Sequence, residues 1–380
     1  MERLIYLDHG ATTKVDDRVL NKMLPYFSIN YGNASSAYFL GRRNKRIIEE
    51  SRNIVADCIG ANSKEIYFTS CGSESDNLAL KGIAYANKNK GKHIITSKIE
   101  HPAILNTCKT LEKQGFEVTY LNVDNRGFVK LDELENSIRK DTILISIMFA
   151  NNEIGTIEPI DKIAKIAKVN NIYFHTDAVQ AIGNVKINVK ELGIDLLSMS
   201  AHKFYGPKGV GALYVKSGIE FERIQDGGHQ EKGKRSGTEN VPGIVGLAEA
   251  IKISYKEFQY NNKKVLNLRE YFIEKLKQID SRIKINGDLE KRLPGNINVS
   301  FPNTDGQQLL LTLDEYGICA SAGSACSTGS SVPSHVLTSI GLSKEESYGT
   351  LRFALGKENT KQEIDYVMNL LKNSINNKVL

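Results

Sequence analysis

Lys203 stands in Ser198-Met-Ser-Ala-His-Lys-Phe-Tyr-Gly-Pro-Lys208, between an apolar run and a rigid Gly-Pro turn. An amine in such a place could form a Schiff base, provided the site lowers its pKa or delivers it to a carbonyl. The alternative is an ordinary solvated lysine, since most lysines are surface groups. A pyridine-aldehyde cofactor would need more than the lysine. It needs an acid to keep the ring nitrogen protonated, donors for its phosphate, and often a flat group against the ring. Asp177, after the apolar run Ile172-Tyr-Phe-His, could supply the acid, or could simply cap the next helix. Ser70-Cys-Gly-Ser-Glu74 joins an expected strand to a helix. The N–H groups of Gly72 and Ser73, the Ser73 hydroxyl and the helix N-terminus would then form an anion site. His101, in Glu100-His-Pro, can stack on a ring or shuttle a proton, or be a structural histidine before proline.

Two further side chains suggest chemistry. Cys326 lies in Ser321-Ala-Gly-Ser-Ala-Cys-Ser-Thr-Gly-Ser-Ser331, and reactive thiols sit in exposed polar surroundings of this kind. Cys58 and Cys319 adjoin apolar residues and read as packing residues, Cys108 falls on an expected helix, and Cys71 adjoins the anion site without an evident role. The five cysteines show no CxxC pair, which supports neither a disulfide framework nor a metal site. Arg352, in Thr-Leu-Arg-Phe, could clamp a carboxylate with its two-pronged guanidinium, or form a surface salt bridge.

These residues follow apolar runs in a regular rhythm. Strands are expected at 65–69, 93–96, 117–121, 142–149, 172–175 and 196–199, with helices near 75–86, 103–114, 131–139 and 160–169. Such alternation implies βαβ crossovers and a mostly parallel sheet, whose ligands collect at the carboxyl ends of the strands. A long, interrupted amphipathic segment near 241–279 leads to a second pattern, with strands at 295–301 and 350–355 and helices at 306–316 and 361–371. The expectation is an α/β chain with a large domain, 15–255, and a smaller α+β domain formed by 1–14 and 256–380. Its 380 residues exceed the usual size of one core.

Hydrophobic residues at 41% and charged residues at 25% are the balance of a soluble enzyme. The net charge of +6 is spread among acids, so no nucleic-acid groove is inferred. No apolar stretch is long enough for a membrane span, and the N-terminus lacks a signal-peptide pattern. A cytoplasmic location is the expectation.

Together these segments resemble the NifS/IscS-like cysteine desulfurases, pyridoxal-phosphate enzymes of the class-V aminotransferase superfamily. The resemblance runs from Tyr6-Leu-Asp-His-Gly-Ala-Thr-Thr13 to the Arg352 region. It implies a fold-type I transferase with a seven-stranded sheet and a homodimer. Lys203 would anchor pyridoxal 5'-phosphate, Asp177 would meet its ring nitrogen, and Gln180, in His175-Thr-Asp-Ala-Val-Gln180, its ring hydroxyl. His101 would stack on the ring. Gly72, Ser73, Ser200 and His202 would hold the phosphate, with Thr238, in Arg235-Ser-Gly-Thr-Glu-Asn240, lent to the neighbouring subunit. Asn152, in Asn151-Asn-Glu-Ile-Gly155, would lie near cofactor and substrate, with Arg352 on the substrate carboxylate. Two departures stand out: Cys71 replaces a usual glycine, and Ser73 a commoner threonine.

The resemblance further implies that L-cysteine is converted to alanine, with a persulfide left on Cys326 in a mobile loop at about 321–331. Lys203 and His101 would carry protons. The sulfur would pass to an acceptor protein, an iron–sulfur scaffold or a tRNA thiolase. The chain ends soon after its last expected helix, without the longer tail that some relatives use for docking. No metal, direct nucleic-acid contact or membrane is expected. A selenocysteine lyase, or another pyridoxal-phosphate C–S lyase, is the rival enzyme; a silent binding partner on the same fold is the rival of another class.

Overall fold

Short, apolar-rich runs set the architecture, because a strand covered on both faces favours apolar residues on both of its sides. The computed structural model describes residues 4–322 and 333–376. Its strands are β1 (Ile5–Tyr6), β2 (Ile66–Thr69), β3 (His93–Ser97), β4 (Glu117–Leu121), β5 (Thr142–Ser146), β6 (Tyr173–Asp177), β7 (Leu196–Ser200), β8 (Gly211–Val215), β9 (Lys284–Ile285), β10 (Asn296–Ser300), β11 (Ile318–Cys319) and β12 (Thr350–Ala354). A seven-stranded sheet runs in the order β2-β8-β7-β6-β5-β3-β4. Its strands from β4 to β7 are parallel, while β8 lies antiparallel between β7 and β2. The sequence pattern does not single out β8. No α-helix separates it from β7, so the βαβ rhythm has no place for it, and the intervening 201–210 turn carries Lys203.

β3, β5, β7 and β8 are buried at every position. One apolar cluster, including Ile95, Ile145, Phe174, Leu197 and Ala212, covers one face. Another, including Leu78, Ile94, Leu144, Leu196 and Leu213, covers the other. The apolar run after β5 stays beside β6 beyond Ser146, because Ile147 N–H donates to His175 O and Phe149 N–H to Asp177 O. The pairing therefore carries the Asn151–Gly155 turn to the carboxyl edge of the sheet.

The expected break in 241–279 falls at Glu257, between the helices Val241–Lys256 and Phe258–Ile279. The helix expected at 131–139 stops at Asn136, where Ser137 N–H bonds back to Glu133 O and Leu134 O. A three-stranded antiparallel sheet, β12-β10-β9, and the parallel pair β1-β11 stand apart. Their cluster joins Ile5 and Leu7 to Phe272, Val299, Leu313, Phe353 and Val367. Val336, Leu337, Ile340 and Leu342 pack instead into the core of the large sheet. Among the described residues no helix is long and apolar enough to cross a membrane.

Candidate active site

At the carboxyl edge of the large sheet, loops from five strands and the first turn of the Gly72–Asn87 helix enclose a cavity of about 450 Å³. Its lining includes Gly72, Ser73, His101, Asn152, Asp177, Gln180, Ser200, His202, Lys203 and Arg352. Ten positions expected to serve one site thus meet around one space. Thr238 does not line it; that residue lies in a separate depression with Glu231, Arg235 and Asn240. Cys326 and most of the expected loop at 321–331 lie outside the described residues.

Lys203 ends a short 3-10 turn, Ala201–Lys203, directly after β7. Its Nζ donates to the carbonyls of Gly10 at 2.7 Å and Ala11 at 2.8 Å. Gln180 Nε2 donates to the same Gly10 oxygen at 2.9 Å. The segment after β1 therefore forms one wall of the site. It is fastened by a bond between Thr12 Oγ1 and His202 Nδ1 and by Thr13 Oγ1 donating to His202 O. Burial pushes the His202 imidazole down to about 4, helped by Lys203 and Lys208.

Asp177 closes β6 and is buried, with one carboxyl oxygen accepting from Val179 N–H at 2.9 Å. Burial pushes it above the ordinary carboxylate range, while nearby His101 and Lys203 favour its charge. His101 is the N-cap of the Pro102–Lys113 helix, and its Nδ1 accepts from Ala103 N–H at 3.1 Å. Burial holds it below its ordinary value, with Asp177 pulling the other way. The neutral imidazole therefore carries its proton on Nε2.

Gly72 and Ser73 begin their helix after Cys71, whose φ of −173° is extended. A methyl group on Gly72 would come within 2.6 Å of Val179 Cγ2. Glu74, one residue on, accepts from Ser70 N–H and pairs with Arg235 at 2.8 Å. Arg352, on β12, is fully buried rather than in a surface salt bridge. It pairs with Asp8 at 2.7 Å and donates to Asn152 O at 3.1 Å, while its Nε has no partner among the described residues. Both prongs are thus occupied, so a substrate carboxylate must share the guanidinium with Asp8.

The whole-chain comparisons fit this site. Residues 5–367 match the family model for aminotransferase class-V. The chain belongs to the class-V aminotransferase family. Cysteine desulfurase IscS of Clostridium botulinum (strain Hall) is 54% identical over 373 residues, 98% of this chain and 94% of that protein. The protein of the same name from Methanosarcina thermophila is 54% identical, across 97% and 91% of the two chains. A solved NifS-like protein superposes with a TM-score of 0.93 at 41% identity, covering 98% of this chain and all of the other.

Class-V members use pyridoxal 5'-phosphate, and the donor set suits it. A helix N-terminus with Gly72, Ser73, Ser200 and His202 faces the cavity where a phosphate would need donors. The lack of a side chain at Gly72 lets the helix N-terminus approach Val179 and Ser200 closely. A buried carboxyl, Asp177, lines the same cavity as Lys203.

Several lining residues of this class-V site have no role that the sequence alone assigns. Gly10 and Ala11 contribute backbone carbonyls, which a side-chain pattern cannot reveal. Asp76 lies three residues after Ser73, hence on the same helical face, and that spacing could have found it. Glu100 is fully buried, with Oε1 accepting from Ser97 Oγ and Met148 N–H. Ser334 Oγ donates to buried Glu153 at 2.5 Å, and His335 Nε2 bonds Glu100 O at 3.0 Å.

Proposed function

We propose that this chain is a cysteine desulfurase that moves the sulfur of L-cysteine onto Cys326 and releases L-alanine. The supporting observation is the convergence of Lys203, Asp177, His101 and Arg352 on one cavity, in a chain 54% identical along almost its whole length to an IscS desulfurase. Pyridoxal phosphate supplies an electron sink for labile bonds at the substrate's α and β carbons. Lys203 would anchor it, Asp177 would hold its ring nitrogen protonated, and Gln180 would face its ring hydroxyl. Gly72, Ser73, Ser200 and His202 would hold its phosphate.

Arg352 and Asn152 orient the substrate carboxylate, and Arg352 stays aligned because Asp8 grips its second prong. Lys203 takes and returns the substrate's α proton, and His101 moves a proton through its Nε2. The Cys326 thiolate attacks the substrate sulfur: an S–S bond forms as the Cβ–S bond breaks. In sum, cysteine and an enzyme thiol give alanine and an enzyme persulfide. The carbon is reduced as the sulfur is oxidised, with no outside oxidant. The persulfide then passes to an acceptor protein, an iron–sulfur scaffold or a tRNA thiolase, in the cytoplasm. The working unit is a homodimer whose Thr238 serves the partner's phosphate site.

The test is a Cys326→Ser variant given ³⁵S-labelled cysteine. Alanine release and enzyme-bound label should fall at least ~100-fold, as expected when a covalent nucleophile is lost. Unchanged alanine release would remove the persulfide step. Retained turnover of selenocysteine alone would favour a selenocysteine lyase.

A further inference from the structure

His175 and Asp177 alternate along β6 and so share one face of it. His175 sits in a closed set of neutral hydroxyl partners, Ser146 Oγ at Nδ1 (2.9 Å) and Ser198 Oγ at Nε2 (3.0 Å). Burial drives the imidazole down to about 3, so it brings no positive charge. Against it, at 3.8 Å, lies Asp76 of the Gly72–Asn87 helix, only 1% exposed and part of the cavity lining. The nearest Asp76 oxygen, Oδ1, has no hydrogen-bond partner among the described residues.

Asp76 is therefore a buried carboxyl that lines the same cavity as a second buried carboxyl, Asp177, with no Lys or Arg ion pair among the described residues. Burial raises it well above the ordinary range, and Asp177, Glu100 and Cys71 add to the effect, while a hydrogen bond from Ser198 favours its charge. Asp177 differs in having the Val179 N–H bond, the polar His101 imidazole nearby and the positive charge of Lys203. Two interacting buried carboxyls do not readily both ionise, and the better-supported one takes the charge.

We propose that Asp76 is a positioning residue that stays a neutral carboxylic acid in the loaded enzyme, confining the pair's single negative charge to Asp177, where it faces the cofactor's ring nitrogen. The proposal rests on placing that nitrogen at Asp177. One charge opposite one pyridinium balances, whereas two would leave an uncompensated charge in a desolvated space. A neutral acid also offers a donor, which Asn would keep and Leu would not.

The test uses the full-length holoenzyme in three forms, wild type, Asp76→Asn and Asp76→Leu, with infrared difference spectra and the dissociation constant for pyridoxal phosphate. A protonated-carboxyl C=O band should be present in the wild type and lost in Asp76→Asn. The Asn form should bind the cofactor within about threefold of wild type, and Leu about tenfold more weakly, the worth of one lost hydrogen bond. No band lost, with Asn weakening binding as much as Leu, would mean that Asp76 is ionised and overturn the proposal. Wild-type binding in the Leu form would also overturn it. Should Leu fail to fold, the band and the Asn affinity still decide the matter. Asp177→Asn serves as the control for the underlying assignment. If that change leaves cofactor affinity intact, the placement of the ring nitrogen is wrong, whereas the band still reports where the Asp76 proton lies.

Discussion

Glu100 has one oxygen with two donors and the other with none among the described residues, in a position fully closed to solvent. That asymmetry fits a neutral acid, and burial pushes its carboxyl from 4.5 up to about 8. The folded state therefore holds a proton that the unfolded chain releases near its ordinary value. Stability from this group is fully present below about 4.5 and is lost as pH rises through about 8. Between those values one such group contributes a downward slope of roughly 1.4 kcal/mol per pH unit. A glutamine keeps the carbonyl oxygen that accepts from Ser97 and Met148 and cannot ionise. Urea unfolding of Glu100→Gln at pH 6 and pH 9 should show most of this slope removed, with the variant gaining on wild type at pH 9. An equal loss in both proteins would mean that Glu100 is charged in the fold. The Cys58 thiol, pushed up by burial to about 11, agrees with its reading as a packing residue, and Cys108, on the helix Pro102–Lys113 as expected, is pushed up by burial to about 12.

The elements explain how such side chains are held. Asn151 Oδ1 accepts from Glu153 N–H and Ile154 N–H, folding the Asn151–Gly155 turn that presents Asn152. Strand β10 fastens that turn from the smaller sheet: Asn296 and Asn298 both donate to Glu153 O. Gly155 completes it at a φ of +78°, and a side chain there would sit 2.6 Å from the Asn296 carboxamide. Gly155→Ala should cost about 1–2 kcal/mol for the left-handed backbone and about 1 more for the displaced Asn296 bond. Thermal unfolding measures that loss, and steady-state kinetics should show a higher KM for cysteine, because Asn152 O also accepts from Arg352. A variant with wild-type melting and KM would mean that the turn tolerates the change. These contacts also mark what the sequence could reveal. The carboxyl-edge residues were legible because each follows an apolar run, and the parallel strands because helices separate them. Strand β8, the Gly10 and Ala11 carbonyls and the grip of β10 on the turn were not. They depend on pairing between segments far apart in the chain, and periodicity records only local spacing.

At the scale of the whole molecule, the proposed phosphate-binding set is divided. Gly72, Ser73, Ser200 and His202 line the cavity, whereas Thr238 opens into a different depression beside the Arg52–Glu231 and Arg235–Glu74 ion pairs. Exposed large apolar side chains crowd the same chain's N-terminal stretch, with Phe27, Ile29, Tyr31, Tyr38 and Phe39 each more than half exposed. A run of this kind suits burial against another protein surface, consistent with a second copy completing the site. If Thr238 acts across a dimer, each cofactor site draws on two chains, and two broken chains can repair one another. In a hybrid of Lys203→Ala and Thr238→Val subunits, one site would keep the intact Lys203 of one chain and the intact Thr238 of the other. The second site would lose both. Co-refolded or co-expressed hybrids, separated by two affinity tags and supplied with limiting pyridoxal phosphate, should therefore bind close to one cofactor per dimer at wild-type affinity. Were Thr238 to serve its own chain, the hybrid would contain only a site without lysine and a site without threonine, and no wild-type-affinity fraction would appear. The difference in amplitude between those two binding curves decides whether the active unit is the chain or the pair.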